Sequence, residues 1–262
     1  MKVITGFFMA WGCFSAIPCP YKKWDESARN LMLAALPFIG LMHGLIWWAA
    51  AWLLTMYFDT PRLLAAALLA LLLPALSGFI HVDGYMDCCD AIFSRRDLAE
   101  RQRILKDSSV GAFAAIALAA LLMLQTAAMY EILVLPEYFP ILALVPMLTR
   151  LMSAEAVWKF PPLATSQYSR LAEESSRKSY RLPERCMEIT TLIAVVIFYV
   201  LFSFEGIFTI WTSFDMILVA AILAHFIACY GARKNLGGMS GDISGFAITI
   251  GEAAAIIVAA II

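Results

Sequence analysis

A cluster of aspartates is the feature of this sequence best suited to chemistry. Asp83, Asp87 and Asp90 directly follow an apolar run, and their spacing of four and three residues places them on one helical face. Like charges at successive turns repel, so this face favours a bound cation, and carboxylates that bridge to substrate phosphates are typical of Mg²⁺ sites. The alternative is a solvated acidic face. The adjoining apolar helix, His81 and Gly84, whose backbone a ligand can approach closely, favour a metal site.

Three polar residues, Lys106, Asp107 and Ser108, stand where the chain returns to apolar sequence. Asp107 or Ser108 can cap the helix that begins there, and Lys106 can meet a phosphate. Capping alone would explain the aspartate and the serine, but we favour capping together with substrate contact. His81, two residues before the first aspartate, is as suited to hydrogen bonding as to ligation, because Mg²⁺ prefers oxygen.

A glycine-rich stretch, 237–245, precedes the last apolar segment. Glycines before a helix N-terminus let backbone N–H groups converge on an anion, and Lys234 adds positive charge near Gly238. The alternative is a tight turn between two helices, although a turn needs fewer glycines. Asp242 is interpreted either as the N-cap of the last helix or as a fourth metal ligand.

Charged residues inside apolar runs form a second group. A carboxylate deep in lipid is costly, so Glu252 is predicted to be functional or paired. It lies ten residues after Asp242, about 15 Å along a straight helix, and does not readily share an ion with it. Arg150 and Glu155 are five residues apart, which is poor geometry for a helical pair, so each is predicted to face a polar bundle interior.

Histidines and cysteines elsewhere are given structural roles. His43 and His225 lie alone in apolar runs, where packing or a hydrogen bond between helices is the expected role. The six cysteines include no Cys-x-x-Cys pair. They are predicted to be small hydrophobic residues in reducing surroundings rather than disulfide partners or metal ligands.

The elements that must position these residues follow from composition. Hydrophobic residues make up 62% of the 262-residue chain and charged residues 15%, with a mean hydropathy of +0.80. Soluble domains are nearer to ~45–50% apolar and ~25% charged, so a soluble protein is excluded. The 17 Phe, 7 Trp and 13 Met exclude disorder, and the net charge of −1 argues against nucleic acid as a partner. The sequence predicts one all-α domain, 1–262, embedded in a lipid bilayer.

Seven apolar runs are long enough for transmembrane helices, which need ~20 residues each. A shorter apolar stretch, 4–17, ends in Pro18-Cys19-Pro20 and is predicted to be a re-entrant or interfacial helix. The fold class is therefore a polytopic helical membrane bundle of about seven spans. The seven runs are 31–57, 62–80, 109–130, 138–157, 189–204, 215–230 and 243–262.

Basic residues indicate the orientation of the bundle. Four polar segments hold three, five, six and two of the 19 Lys and Arg residues, in the order 21–30, 81–108, 158–188 and 231–242. The alternate connections, 58–61, 131–137 and 205–214, hold no Lys or Arg. By the positive-inside rule these four segments are predicted to be cytoplasmic. The aspartates and the glycine-rich stretch then lie on the cytoplasmic side of the cell membrane.

With these residues identified, the chain resembles the cobalamin synthase family, also called adenosylcobinamide-GDP ribazoletransferases. The resemblance rests on three blocks and extends over nearly the whole chain. Its most specific part is His-x-Asp-Gly-x-x-Asp-x-x-Asp. The chain departs from the family at Ala91, where many members have Gly, and at Ser15-Ala16, where many have Thr-Arg. The blocks are 81–90, 106–111, and 237–242 with 251–252.

The resemblance implies a membrane transferase that joins adenosylcobinamide-GDP to α-ribazole or its 5′-phosphate and releases GMP, with Mg²⁺ as cofactor. The metal would lie on the diphosphate, and one of its carboxylates or Asp107 would accept the proton of the attacking hydroxyl. The oligomeric state is left open, a homo-oligomer included. The implied metal ligands are Asp83, Asp87, Asp90 and Asp242.

The resemblance also implies a substrate-binding set. Three of its basic residues would balance charge on the phosphates: Lys106, Arg150 and Lys234. The remaining members of the set are His81, Ser108, Gly238 and Glu252.

Two rival functions are weaker. A CDP-alcohol phosphotransferase motif also begins Asp-Gly, but it continues with Ala-Arg where this chain has Asp87-Cys88, and its later aspartate block is absent. A transporter would carry polar residues through the bilayer midplane and inverted repeats, whereas the acidic residues here gather at one edge. A purely structural subunit leaves the three stacked aspartates unexplained.

Overall fold

The computed structural model describes residues 1–163, 177–202 and 208–262, and it confirms the all-α prediction. Short 3₁₀ turns at Glu26–Ala28 and Pro136–Tyr138 join some of the helices. Of the predicted polar segment 158–188, residues 164–176 lie outside the described ranges. The helices are α1 Lys2–Phe14, α2 Arg29–Ala34, α3 Leu36–Trp52, α4 Arg62–Leu76, α5 Ile80–Phe93, α6 Leu98–Ile104, α7 Ala112–Ile132, α8 Ile141–Lys159, α9 Arg177–Phe202, α10 Phe208–Leu236 and α11 Gly241–Ile261.

Five helical segments in the described ranges are long and apolar enough to cross a membrane. They comprise α3 with the π turn Leu53–Tyr57, α7, α8 with the turn before it, most of α10, and α11. A sixth crossing results if α4 and α5 together form one broken span. The polytopic bundle is therefore confirmed, but the predicted count of seven spans is not.

A sharp bend separates the predicted second span from the acidic segment. α4 and α5 meet at 92°, and the chain between them places both Gly78 and Phe79 at positive φ (62° and 61°). Glycine adopts this conformation freely, whereas phenylalanine is strained there. The backbone N–H of Phe79 donates to the carbonyl of Pro74 (2.8 Å), which closes the end of α4. As a result, α5 leaves the direction of α4 and packs against α11.

The N-terminal helix is short and lies beside this bend. α1 has 13 residues, about 20 Å in length, which is less than the ~30 Å hydrocarbon core. That length agrees with the predicted re-entrant or interfacial position. Just after α1, the backbone N–H of Ala16 donates to the carbonyl of Leu76 (2.8 Å), and Ser15 Oγ lies 3.0 Å from His43 Nε2. The segment after α1 is thus held to the end of α4 and to α3, close to the bend that precedes the acidic helix.

The bundle core and its lone polar residues agree with the sequence predictions. A large apolar cluster joins α3, α4, α7, α8, α9, α10 and α11. His43 contacts Ser15, and His225 Nε2 lies 2.8 Å from Ser153 Oγ, so both histidines make contacts between elements as predicted. All six cysteines are free, although only Cys88, Cys89 and Cys229 are buried.

Candidate active site

Two glycines set the position of the acidic helix. An added Cβ at Gly84 of α5 would lie 2.7 Å from the carbonyl oxygen and 2.8 Å from the Cα of Asp242. An added Cβ at Gly245 of α11 would lie 2.9 Å from the carbonyl oxygen of His81. The hydroxyl of Thr249 donates to that same carbonyl (3.2 Å). Backbone therefore packs directly on backbone where α5 crosses α11, and this brings the two acidic blocks together.

Replacing Gly84 with alanine is expected to lower, at least about tenfold, the transferase activity that the family resemblance implies, because the new methyl group meets backbone that cannot rotate away. Overpacking of this kind costs about 1–3 kcal/mol and moves the two helices apart. The measurement is GMP release by the purified protein in lipid nanodiscs. Gly231→Ala is the control, since its Cβ would meet nothing within 4 Å. Equal activity of the two variants would contradict this account of the crossing.

A pocket opens beside this crossing. Its volume is about 300 Å³, at the lower end of the ~300–1,000 Å³ range of small-molecule sites. Its walls come from α1, the 21–30 segment, α2 and the first turns of α5 and α11. Polar lining residues are Arg29, His81, Asp83, Asp242 and Ser244, and the remainder are Cys13, Phe14, Trp24, Met32, Ile80 and Gly241.

The carboxylates beside the pocket act on one another. α5 lies outside the five long apolar helices, and Asp87 is half-buried in it. Burial and the negative charges of Asp83, Asp242 and Asp90 raise the pKa of Asp87 to about 7. This concentration of negative charge provides an electrostatic attraction for a cation.

The predicted cage of four aspartates is not closed. No three His, Cys, Asp or Glu side chains within the described part of the chain stand close enough to ligate a metal on their own. Asp83 and Asp242 do line the same pocket, from two different helices. Two carboxylates suit Mg²⁺, which usually keeps several waters and takes one or two carboxylates together with substrate phosphates. The donor set therefore fits a magnesium ion that the substrate helps to bind.

Asp90 has a structural partner that the sequence did not predict. Its Oδ2 accepts from the backbone N–H of Gly111 (2.7 Å) and its Oδ1 from that of Ala114 (2.9 Å). These are unsatisfied donors at the N-terminus of α7, so Asp90 caps that helix from a neighbouring element. The prediction that Asp107 or Ser108 caps this helix is wrong, because its N-cap residue is Gly111.

Lys106, Asp107 and Ser108 lie outside the pocket. Lys106 and Asp107 line a separate surface depression along α6, together with Ala99, Gln102 and Arg103. Asp107 Oδ1 accepts from the backbone N–H of Ser109 (3.0 Å), and Ser108 is exposed. Gly111, at the end of this block, contacts the acidic helix through Asp90.

The glycine-rich stretch separates into two parts. Gly238 is buried, and its added Cβ would lie 2.7 Å from the backbone nitrogen of Leu163, so this glycine allows chain packing rather than lining the pocket. Lys234 is exposed on α10. The N-cap of α11 is Ser240, whose hydroxyl accepts from the backbone N–H of Ile243. Asp242 is therefore not the cap, and its carboxylate remains available to the pocket.

Arg150 and Glu252 form an ion pair inside the bundle. Arg150 Nη1 lies 2.6 Å from Glu252 Oε1, and the arginine side chain is fully buried. The carbonyl of Pro146 and the hydroxyl of Thr149 complete this contact at 3.1 and 3.4 Å. The predictions that Glu252 is functional or paired and that Arg150 faces a polar interior agree with this arrangement. Neither residue lines the 300 Å³ pocket, which differs from the substrate contacts predicted for them.

Glu155, by contrast, lies near the exposed end of α8. Its Oε2 accepts from Lys159 Nζ at 2.6 Å, four residues along the same helix. The prediction that Glu155 faces a polar bundle interior is therefore wrong. Its partner was not predicted because the proposed span ended two residues before Lys159.

Residues from the N-terminal part of the chain complete the pocket and were not predicted from the sequence. Arg29 pairs with Glu26, and its guanidinium lies 5.9 Å from the ring centre of Trp24. The ring of His81 stacks on Phe14 with centroids 6.4 Å apart. The basic character of the 21–30 segment predicted the side of the membrane on which it lies, but it did not indicate that this segment shares a pocket with the acidic helix.

A family described as cobalamin-5-phosphate synthase matches residues 6–260 of the chain. Among similar proteins is the adenosylcobinamide-GDP ribazoletransferase of Clostridium perfringens strain SM101, 32% identical over 254 residues, covering 97% of this chain and 96% of the relative. That of Clostridium botulinum strain Alaska E43 is 32% identical, with 96% and 95% covered. That of Geobacillus thermodenitrificans strain NG80-2 is 31% identical, with 95% and 92% covered. No solved structure matches the chain.

Proposed function

Because the chain belongs to the cobalamin-5-phosphate synthase family, we propose that it is an adenosylcobinamide-GDP ribazoletransferase of cobalamin biosynthesis. A hydroxyl of α-ribazole, or of its 5′-phosphate, attacks the cobinamide-side phosphorus of adenosylcobinamide-GDP. A new P–O bond forms to that hydroxyl oxygen, the bond to the bridging oxygen breaks, and GMP leaves. Neither rival function, a CDP-alcohol phosphotransferase or a transporter, is favoured by these relatives.

One observation supports the proposed location of this reaction. Where α5 crosses α11, Asp83 and Asp242, which come from two separate sequence blocks, line the wall of one pocket. These carboxylates would hold Mg²⁺, and a bound ion would stabilise negative charge on the diphosphate. Arg29 adds positive charge to the same wall. The hydroxyl proton passes to a carboxylate of this cluster, since Asp107 lies in a separate depression.

The other predicted substrate contacts fall into two groups, residues that line the pocket and residues that lie outside it. His81 lines the pocket, so it is proposed to contact substrate. Lys106, Ser108 and Lys234 are exposed and would take part only through a larger substrate that extends beyond the pocket.

The protein is proposed to work in the cytoplasmic membrane with its pocket on the cytoplasmic side. Support comes from the origin of the pocket walls. They include residues of three of the four predicted cytoplasmic segments, represented by Arg29, Asp83 and Asp242. The same three segments hold ten of the 19 basic residues, the charge signature of cytoplasmic loops.

The test is an assay of the purified protein in lipid nanodiscs with adenosylcobinamide-GDP, Mg²⁺, and either α-ribazole or its 5′-phosphate. GMP and the matching cobalamin product are expected in equal amounts, and omission of the riboside should abolish both. Protein that remains helical by circular dichroism but releases no GMP with either riboside would overturn the proposed function.

A further inference from the structure

We propose that a second pocket, beside the aspartate-lined one, binds the acceptor as an aromatic nucleoside 5′-monophosphate. This inference rests on the proposed function, because it identifies where the second substrate of that reaction binds. The second pocket lies between α1 and the 15–24 segment and has a volume of about 380 Å³. Its lining residues are Phe8, Met9, Gly12, Cys13, Ser15, Ala16, Ile17, Pro18, Cys19, Tyr21, Lys22, Lys23 and Trp24.

The two pockets adjoin. Cys13 and Trp24 belong to the walls of both, so a ligand in one lies next to a ligand in the other. A transfer between two large substrates requires this arrangement, because the attacking hydroxyl and the phosphorus must meet while each substrate keeps its own contacts. The aspartate-lined pocket alone, at about 300 Å³, has no space for both.

The two pockets differ in charge and therefore suit different substrates. The first pocket carries Asp83 and Asp242, and its one guanidinium, Arg29, is paired with Glu26, so the two carboxylates repel a phosphate unless a cation lies between them. The second pocket is lined by Lys22 and Lys23 and by no carboxylate. A metal-bound diphosphate therefore suits the first pocket, whereas a phosphate monoester without a metal suits the second.

Aromatic side chains of the second pocket suit a planar base. The rings of Phe8 and Tyr21 lie 5.3 Å apart, and Trp24 is half-exposed at the shared wall. Local hydrogen bonds hold this wall in place. Trp11 Nε1 donates to the carbonyl of Ile17 (2.9 Å), and the thiol of Cys19 donates to the carbonyl of Tyr21 (3.1 Å). The pocket is thus preformed, and its lining includes rings that can stack on a base and two lysines that can bind a phosphate.

A lipid headgroup shares the phosphate chemistry, so the test must separate the two sources. The probes are α-ribazole 5′-phosphate and unphosphorylated α-ribazole, in nanodiscs of neutral phosphatidylcholine and in discs that contain anionic phosphatidylglycerol. In neutral discs, Lys22→Gln/Lys23→Gln is expected to raise KM for the phosphorylated acceptor about tenfold or more. KM for the unphosphorylated acceptor and for adenosylcobinamide-GDP should change less than about twofold. The control is Arg95→Gln/Arg96→Gln, an exposed adjacent pair in another basic segment.

A second variant tests the aromatic wall: Tyr21→Leu should raise KM for both acceptor forms alike, because stacking does not depend on the phosphate. Equal effects of the lysine change on both acceptors would overturn the proposal. So would an effect seen only in anionic discs, which would assign the pocket to lipid. Calorimetric binding of α-ribazole 5′-phosphate needs no turnover. Its loss in the lysine variant would support this pocket even if GMP release failed, and unchanged binding would reject it.

Discussion

Replacing Arg150 with methionine is expected to destabilise the protein by about 3–5 kcal/mol, because Glu252 is then left as an uncompensated carboxylate inside the bundle. The arginine is fully buried, and its pairing distance to Glu252 is 2.6 Å. Water cannot replace the lost partner at such a site without opening the helices. The loss should appear as a lower midpoint in denaturant-induced unfolding of the protein in lipid bicelles.

Two further variants identify the cause of that loss. Arg150→Met/Glu252→Met removes both charges and should recover much of the stability, since apolar replacements of a buried pair are often neutral. Lys159→Met breaks a pair of equal length, 2.6 Å to Glu155, and a longer one, 3.3 Å to Glu184, but the lysine side chain is 47% exposed, so each lost pair should cost only about 0–1 kcal/mol. Arg150→Met and Lys159→Met variants of equal stability would contradict the assigned role of the buried pair.

Replacing Asp83 with asparagine is expected to lower the rate of GMP release at least about 100-fold, and Asp242→Asn should do the same. Both substitutions keep the size of the side chain but remove the charge that would hold Mg²⁺. Because each carboxylate lies on the pocket wall, the loss should appear in kcat/KM with little change in stability.

Asp97→Asn is the matched control for these two variants. Asp97 lies in the same polar segment and caps α6 through a 2.9 Å hydrogen bond from the backbone N–H of Glu100. Asparagine caps helices about as well as aspartate, so this variant should keep near wild-type activity. If Asp83→Asn retained full activity and full magnesium dependence, the site would have been assigned to the wrong carboxylates.

The helical part of the site could be predicted from the sequence because it depends on local spacing. Asp83, Asp87 and Asp90 lie on one helix, α5, as their separation by four and three residues predicts. The distribution of basic residues also grouped three polar segments that contribute to the pocket, but it did not indicate the contribution of α1. The bend at Gly78 and Phe79 was not predictable, since phenylalanine adopts positive φ only when its surroundings impose it.

Partners distant in sequence could not be predicted. Asp90 reaches backbone groups 21 and 24 residues away, so spacing alone suggested a metal ligand where the structure has a helix cap. Arg150 and Glu252 are 102 residues apart. The sequence indicates that each charge needs a partner, but it does not identify the partner. The role of Gly84 likewise depends on the backbone of α11, which a single sequence does not place.

Asp83 and Asp242, which line one pocket, are proposed to hold the metal of this reaction. Binding of Mn²⁺, as a spectroscopic substitute for Mg²⁺, can be followed by electron paramagnetic resonance on the protein in nanodiscs with adenosylcobinamide-GDP present. The wild-type protein is expected to bind one ion, with affinity reduced at least about tenfold in Asp83→Asn and in Asp242→Asn and unchanged in Asp97→Asn. Equal Mn²⁺ affinity in all four proteins would contradict the claim.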